Sequence, residues 1–150
     1  FLMTIGTQAS SQDSFFFDHT LTAERVKDIG SIYVTVSDEA SMGCWTNLKE
    51  AREYAEEKLR IKGIKVDKEM SYPDAQEKRY QFIIHVGSQR LTDRSSPCVG
   101  AIDLNLVGYS SVNGIGHLSY LGEKGVRFMH PKNANTLVID HLKETFDTFP

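Results

Sequence analysis

No run of apolar residues in this 150-residue chain approaches the ~20 needed to carry a helix across a bilayer, so no transmembrane segment is expected in the mature domain. Nor is there a basic stripe. Of the 17 Lys and Arg, only Lys58, Arg60, Lys62 and Lys65 come near one another, and three of these sit in or just past the last turn of an expected helix, where cations complement the macrodipole. With a formal net charge of -3, the chain has no footprint for phosphate binding, and no nucleic-acid partner is expected. A glycine-rich phosphate loop is missing too, since Gly114-Ile115-Gly116 lacks the spaced third glycine and the following helix. Internal repeats and low-complexity tracts are absent. Cysteine occurs only at Cys44 and Cys98. A bridge between them would mark an exported protein, whereas two free thiols would leave the compartment open.

Composition sets the scale. At 40% hydrophobic, the chain is long enough for one domain with a real core and too short to expect two. The opening Phe1-Leu2-Met3-Thr4-Ile5-Gly6-Thr7-Gln8-Ala9-Ser10 lacks an initiator methionine and turns from apolar to small residues. That is the profile of the end of a signal peptide with Ala9 at its cleavage position, and an ordinary N-terminal strand or arm fits it equally. Residues 1–20 are therefore read as an arm or signal-peptide remnant, with Phe15-Phe16-Phe17 docking onto a single α+β domain over 21–150.

Periodicity divides that domain. Thr22 is placed to cap a short helical turn over Ala23–Asp28, which Gly30 ends in the left-handed conformation. Ser31–Ser37 sets Ile32, Val34 and Val36 against Tyr33, Thr35 and Ser37, the period of a half-buried strand. Asn47 and Glu50 have capping-box spacing ahead of a helix that carries Leu48, Ala51, Ala55 and Leu59 on one face and stops at Gly63. After a short extended piece at Ile64-Lys65-Val66 and a solvated connection, Tyr80–Leu91 is the clearest strand. A turn at Thr92–Pro97 joins it to Val99–Val107 as an antiparallel hairpin. Turns at Ser110–Gly114 and Gly122–Gly125 then bracket a strand at Ile115–Leu121 and precede Val126–Met129. A final helix, capped by Asn133 or Asn135, carries Leu137, Val138, His141, Leu142, Thr145, Phe146 and Phe149.

Every strand has one apolar and one mixed face, which predicts a two-layer sandwich: a mixed, mostly antiparallel sheet of about four or five strands with two main helices on one face, in the order β-α-β-β-β-α. A crossover helix makes the first strand and the Tyr80 strand parallel, so the loop before that helix and the turn after the Tyr80 strand fall at the same end of the sheet. Cys44 and Cys98 then lie within reach of each other. Two other readings of the cysteines stand beside the bridge: free structural thiols, or a Cys44 nucleophile activated by the helix N-terminus, for which none of the five histidines has a recognisable spacing.

On the mixed face, Tyr33, Thr35, Ile83, His85, Asp103, Asn105 and His117 form the candidate binding surface. His85, Asp103 and His117 or Ser119 come from neighbouring strands, and imidazole with carboxylate is the chemistry of proton transfer or zinc binding. Metal sites need three or four convergent ligands, however, and neither a metal nor a cofactor is expected. Tyr33 and Ile83 suggest a face that something covers: the phenylalanine arm, a second copy of the chain, or a partner. His19, His130 and His141 read as surface or boundary residues.

The segment Gly43-Cys44-Trp45-Thr46-Asn47-Leu48, the helix ending Leu59-Arg60-Ile61-Lys62-Gly63-Ile64-Lys65-Val66, and Pro131-Lys132-Asn133-Ala134-Asn135 before the last helix resemble a group of small exported bacterial proteins of unknown function. In topology alone the chain also resembles the amino-terminal domain of the periplasmic protein TolB and related envelope modules. Neither resemblance brings catalytic residues with it. Two functions are carried forward. The first is a non-enzymatic, exported (periplasmic or extracellular) module that binds a protein partner or itself through the open sheet face or an edge strand. The second is a small hydrolase or metal-dependent enzyme built on His85 and Asp103.

Overall fold

A computed structural model describes residues 21–70, 79–112 and 115–150, with 109–112 and 115–119 described by their backbone alone. In chain order they form α1 (Ala23–Lys27), β1 (Ser31–Ala40), α2 (Leu48–Ile61), β2 (Val66–Asp67), β3 (Arg79–Arg90), β4 (Cys98–Val112), β5 (Ile115–His130) and α3 (Asn135–Thr148). The strands make one five-stranded mixed sheet in the order β2-β1-β3-β4-β5. β1 runs parallel to β2 and β3, while β3, β4 and β5 are antiparallel neighbours. This is the expected α+β open sheet, and the extended piece expected at Ile64-Lys65-Val66 overlaps its edge strand β2 at Val66.

The alternation of apolar residues decides which face is covered. Ile32 and Val34 of β1, Phe82, Ile84 and Val86 of β3, and Ile102, Leu104 and Leu106 of β4 are almost wholly buried in one cluster with both long helices. α2 contributes Ala51, Ala55 and Leu59 from one face, and its two alanines let its backbone approach closely. From α3 come Val138, Leu142 and Phe146, with the Phe146 ring 5.4 Å from that of Phe82. α1 has no buried residue of its own, and Leu21 and Ile29 on either side of it anchor the segment to the core.

Four local expectations are revised. The turn expected at Gly122–Gly125 is not a turn: β5 continues through it, because β4 is long enough to supply ladder partners throughout, Leu106 for Gly122 and Asp103 for Gly125. The irregularity there is a bulge opposite Leu106 and Val107, which sets Leu121 outside the one-to-one register. Gly30 does not take the left-handed conformation. α1 ends instead at Asp28, whose N–H bonds back to the Arg25 carbonyl while the Ile29 N–H bonds to the Val26 carbonyl, and positive φ among the described residues is confined to Met42, Gly43 and Gly63. Asn47 precedes α2, but its amide is used differently from a capping box, donating to the Glu50 carboxylate (2.9 Å) and accepting from the Trp45 indole (2.8 Å). His141, expected as a surface or boundary residue, is buried between α3 and the sheet. The expected docking of Phe15–Phe17, and the connection over 71–78, lie outside the described residues.

Cys44 and Cys98 are joined, with sulfurs 2.02 Å and Cα atoms 5.6 Å apart, and both are fully buried. The bond ties the loop after β1 to the first residue of β4, as the parallel arrangement of β1 and β3 allows. Closing a loop across a sequence separation of 54 contributes about 4 kcal/mol in the chain-entropy picture.

Candidate functional site

Both long helices lie on one side of the sheet, leaving the opposite side as the candidate surface. Parallel pairing of β1 with β3, and antiparallel pairing of β3, β4 and β5, align their outward residues in rows. One row is Thr35, Ile83, Asn105 and Glu123, the next is Ser37, His85, Asp103 and Gly125, and the third is Glu39, Gly87, Ala101 and Arg127. Thr35, Ile83, His85, Asp103 and Asn105 therefore share one patch, as their alternation implied.

Of the remaining two candidates, Tyr33 lies on the same face one row further along, and His117 falls elsewhere. His117 pairs with Ser110, far along the hairpin from the Asp103–Gly125 pair, so the register does not bring it to His85. Tyr33 is half-buried at the start of β1, where the Arg52 guanidinium from α2 lies 5.2 Å from its ring centre. That contact makes Tyr33 a packing partner of α2 as much as a member of the open surface.

At the centre of the patch, His85 Nδ1 lies 3.1 Å from the Ser37 hydroxyl, and its Nε2 lies 3.9 Å from a carboxylate oxygen of Glu39. Glu39 is largely exposed, and 3.9 Å exceeds a hydrogen bond, so this carboxylate is a neighbour of the imidazole and does not fix its orientation. Asp103 is directly opposite His85 across the ladder but leans toward β5: a Cβ on Gly125 would sit 2.5 Å from its Oδ1. Gly125 is thus the residue that makes room for this carboxylate.

The rest of the patch is partly satisfied. The Gln81 amide donates to the Thr35 hydroxyl and lies 3.6 Å from the Met70 sulfur. The Asn105 Oδ1 is buried with no hydrogen-bond partner among the described residues. Past the Glu39 row, an open groove of about 400 Å³ is lined by Glu39, Ser41, Gly87, Ser88, Gln89, Val99 and Gly100. Gly100 is tightly packed, since a Cβ there would meet the Ser88 Cβ at 2.6 Å.

The chemistry available follows from these distances. Among the described residues no three His, Cys, Asp or Glu side chains converge as metal ligands. A nucleophile–base pair exists in Ser37 and His85, but Asp103 is turned away from the imidazole that it would have to orient. Ser37 and Glu39 were not singled out by the sequence, because the alternation assigns a face while the register that sets Ser37 opposite His85 comes from the crossover geometry.

Buried His141 belongs to the helix layer. Its Nε2 is 3.4 Å from the Lys124 carbonyl, and its Nδ1 is 4.0 Å from the Glu144 carboxylate. Burial is the main cause that pushes its pKa below the usual histidine range, aided by the Lys124 charge and opposed by the Lys124 carbonyl and Glu144.

No protein-family model matches the chain, and no curated protein does. Among solved structures it is similar to chains of PelC dodecamers from Paraburkholderia phytofirmans. One, a leucine-to-methionine variant, is 14% identical with a TM-score of 0.41, covering 77% of this chain and 82% of that one. Another is 15% identical with a TM-score of 0.40, covering 77% of this chain and 84% of that one. At this level of likeness no residue role carries over. The Cys44–Cys98 bond is the chain's own feature that bears on compartment. No described helix is long and apolar enough to cross a membrane.

Proposed function

We propose that this domain is a non-enzymatic module of an exported protein and that it binds a protein partner through the side of its sheet that carries no described helix. The observation that carries the reading is the one-sided layering: α2 and α3 share a single core, while the Thr35 and Ser37 rows are left half-buried with no helix over them among the described residues. A partly apolar surface interleaved with hydrogen-bonding groups, here Ile83 among Thr35, His85 and Asn105, is the composition of a protein-binding patch. The buried disulfide supports an oxidising compartment, periplasmic or extracellular.

Site-specific photocross-linking tests it. A cross-linking side chain placed at Ile83 or Asn105 is expected to give the same discrete protein adduct from an envelope or culture extract, and one at Glu57, exposed on α2, is expected to give none. No adduct from either sheet position, or the same adduct from Glu57, would count against the reading.

The second reading, a hydrolase, is favoured by one contact, the Ser37–His85 pair. Here His85 would take the Ser37 proton as the hydroxyl attacks an acyl carbon. Its test is a phosphonate or fluorophosphonate probe, which should label Ser37 in the native chain and not in His85→Ala. An unlabelled native chain disposes of it.

A further inference from the structure

We infer that β5 is a self-complementary edge, and that two copies of the chain join by antiparallel β5–β5 pairing centred on Gly125 into a single ten-stranded sheet. β5 pairs with β4 on one side and with no other strand among the described residues, which leaves the outer backbone groups of Gly122–Phe128 without a described partner strand. Three of the exposed large apolar residues, Tyr120, Val126 and Met129, lie on this one strand.

Symmetry restricts the register. In a two-fold antiparallel pair, residue i opposes j, j opposes i, and both point to the same face, so only pairings centred on one residue are possible. Centring on Glu123, Lys124 or Arg127 sets like charges on each other. A centre at Val126 leaves Glu123 opposite Met129 and Arg127 opposite Gly125. Only the Gly125 centre in this stretch sets Glu123 opposite the second copy's Arg127, twice by symmetry. Both side chains are exposed, both lie on the open face, and neither has an ion-pair partner among the described residues.

The other face agrees. There the half-buried Phe128 would oppose Gly122, and Val126 would oppose Lys124. Lys124 is held back by Glu144 of α3 at 3.5 Å, so its charge is already matched and its stem can cover Val126. The bulge at Leu121 ends the regular ladder just beyond Gly122, defining the length of the interface. This pairing is independent of what the open face binds, and it would double that face.

The test is sedimentation equilibrium of the full chain, with circular dichroism as the folding control. The native chain should be dimeric. Glu123→Arg and Arg127→Glu should each weaken association roughly tenfold to a hundredfold, by turning two attractive cross-strand pairs into repulsive ones. The double variant carrying both changes should dimerise like the native chain. Mixing the two single variants should yield heterodimer in preference to either homodimer, since every pair is then complementary. A monomeric native chain overturns the inference. So does a dimer indifferent to both single substitutions, or one that neither the double variant nor the mixture restores.

Discussion

Asn135 and Thr46 hold each other at two points: the Asn135 Oδ1 accepts the Thr46 backbone N–H (2.9 Å), and its Nδ2 donates to the Thr46 hydroxyl (2.8 Å). The pair clips the start of α3 to the loop before α2, beside a bond from the Ala134 N–H to the Cys44 carbonyl (2.7 Å). Asn135→Ala removes both side-chain bonds at a partly solvated site and is expected to cost about 1 kcal/mol in urea denaturation. Asn135→Asp is expected to stay within about 0.5 kcal/mol of the native chain. The carboxylate still accepts from the Thr46 N–H, the Thr46 hydroxyl can reverse to donate, and a negative charge enters the first turn of α3.

Reduction removes the covalent tie at this same end of the molecule. The Cys44→Ala, Cys98→Ala chain is expected to lose about 4 kcal/mol relative to the oxidised form, read as a lower denaturation midpoint. Without reductant, the native chain should resist alkylation at both cysteines, and reduction should add the mass of two hydrogens.

His141 gives the fold a defined response to acid. Its pKa is lowered in the folded state, first by burial, so just below about 6.5 the unfolded chain binds the proton and the folded chain does not. Stability is therefore full above that pH and falls as pH drops toward the lowered folded value. In His141→Gln the slope of unfolding free energy against pH should flatten between about pH 6.5 and the onset of carboxylate titration. An unchanged slope would show that His141 is not its source.

The two faces of β3 should differ sharply on truncation. Phe82 is fully buried against Phe146, and Phe82→Ala is expected to cost about 3–5 kcal/mol. Ile83, its neighbour on the open face, is half-buried, and Ile83→Ala should cost only about 1 kcal/mol by thermal or urea denaturation.

Much of this fold is legible in the residues because neighbouring signals agree. The Ile32-Val34 and Phe82-Ile84-Val86 alternations identify the buried face, and the helix between them makes the strands parallel, which in turn brings Cys44 to Cys98. What escaped has local causes. Gly122 and Gly125 mark a turn in isolation, yet here both are ladder residues opposite Leu106 and Asp103, and Gly125 makes room for the Asp103 carboxylate, a demand visible only once β4 is paired. His141 sits at core spacing with Val138, Leu142 and Thr145, but its polarity beside Asp140 masks the burial that its helix face imposes. The patch around His85 was legible as a face and not as contacts, because Ser37 and Glu39 reach the imidazole through the β1–β3 register, and His117 missed it by the length of the hairpin.

With one pair of cysteines, this chain has a single internal bridge to make. Oxidation can then come before, during or after collapse without trapping a wrong isomer, and reshuffling has nothing to correct. An oxidant alone should suffice for maturation, and the sole competing product within this chain's chemistry is a cross-link between two molecules, which dilution suppresses.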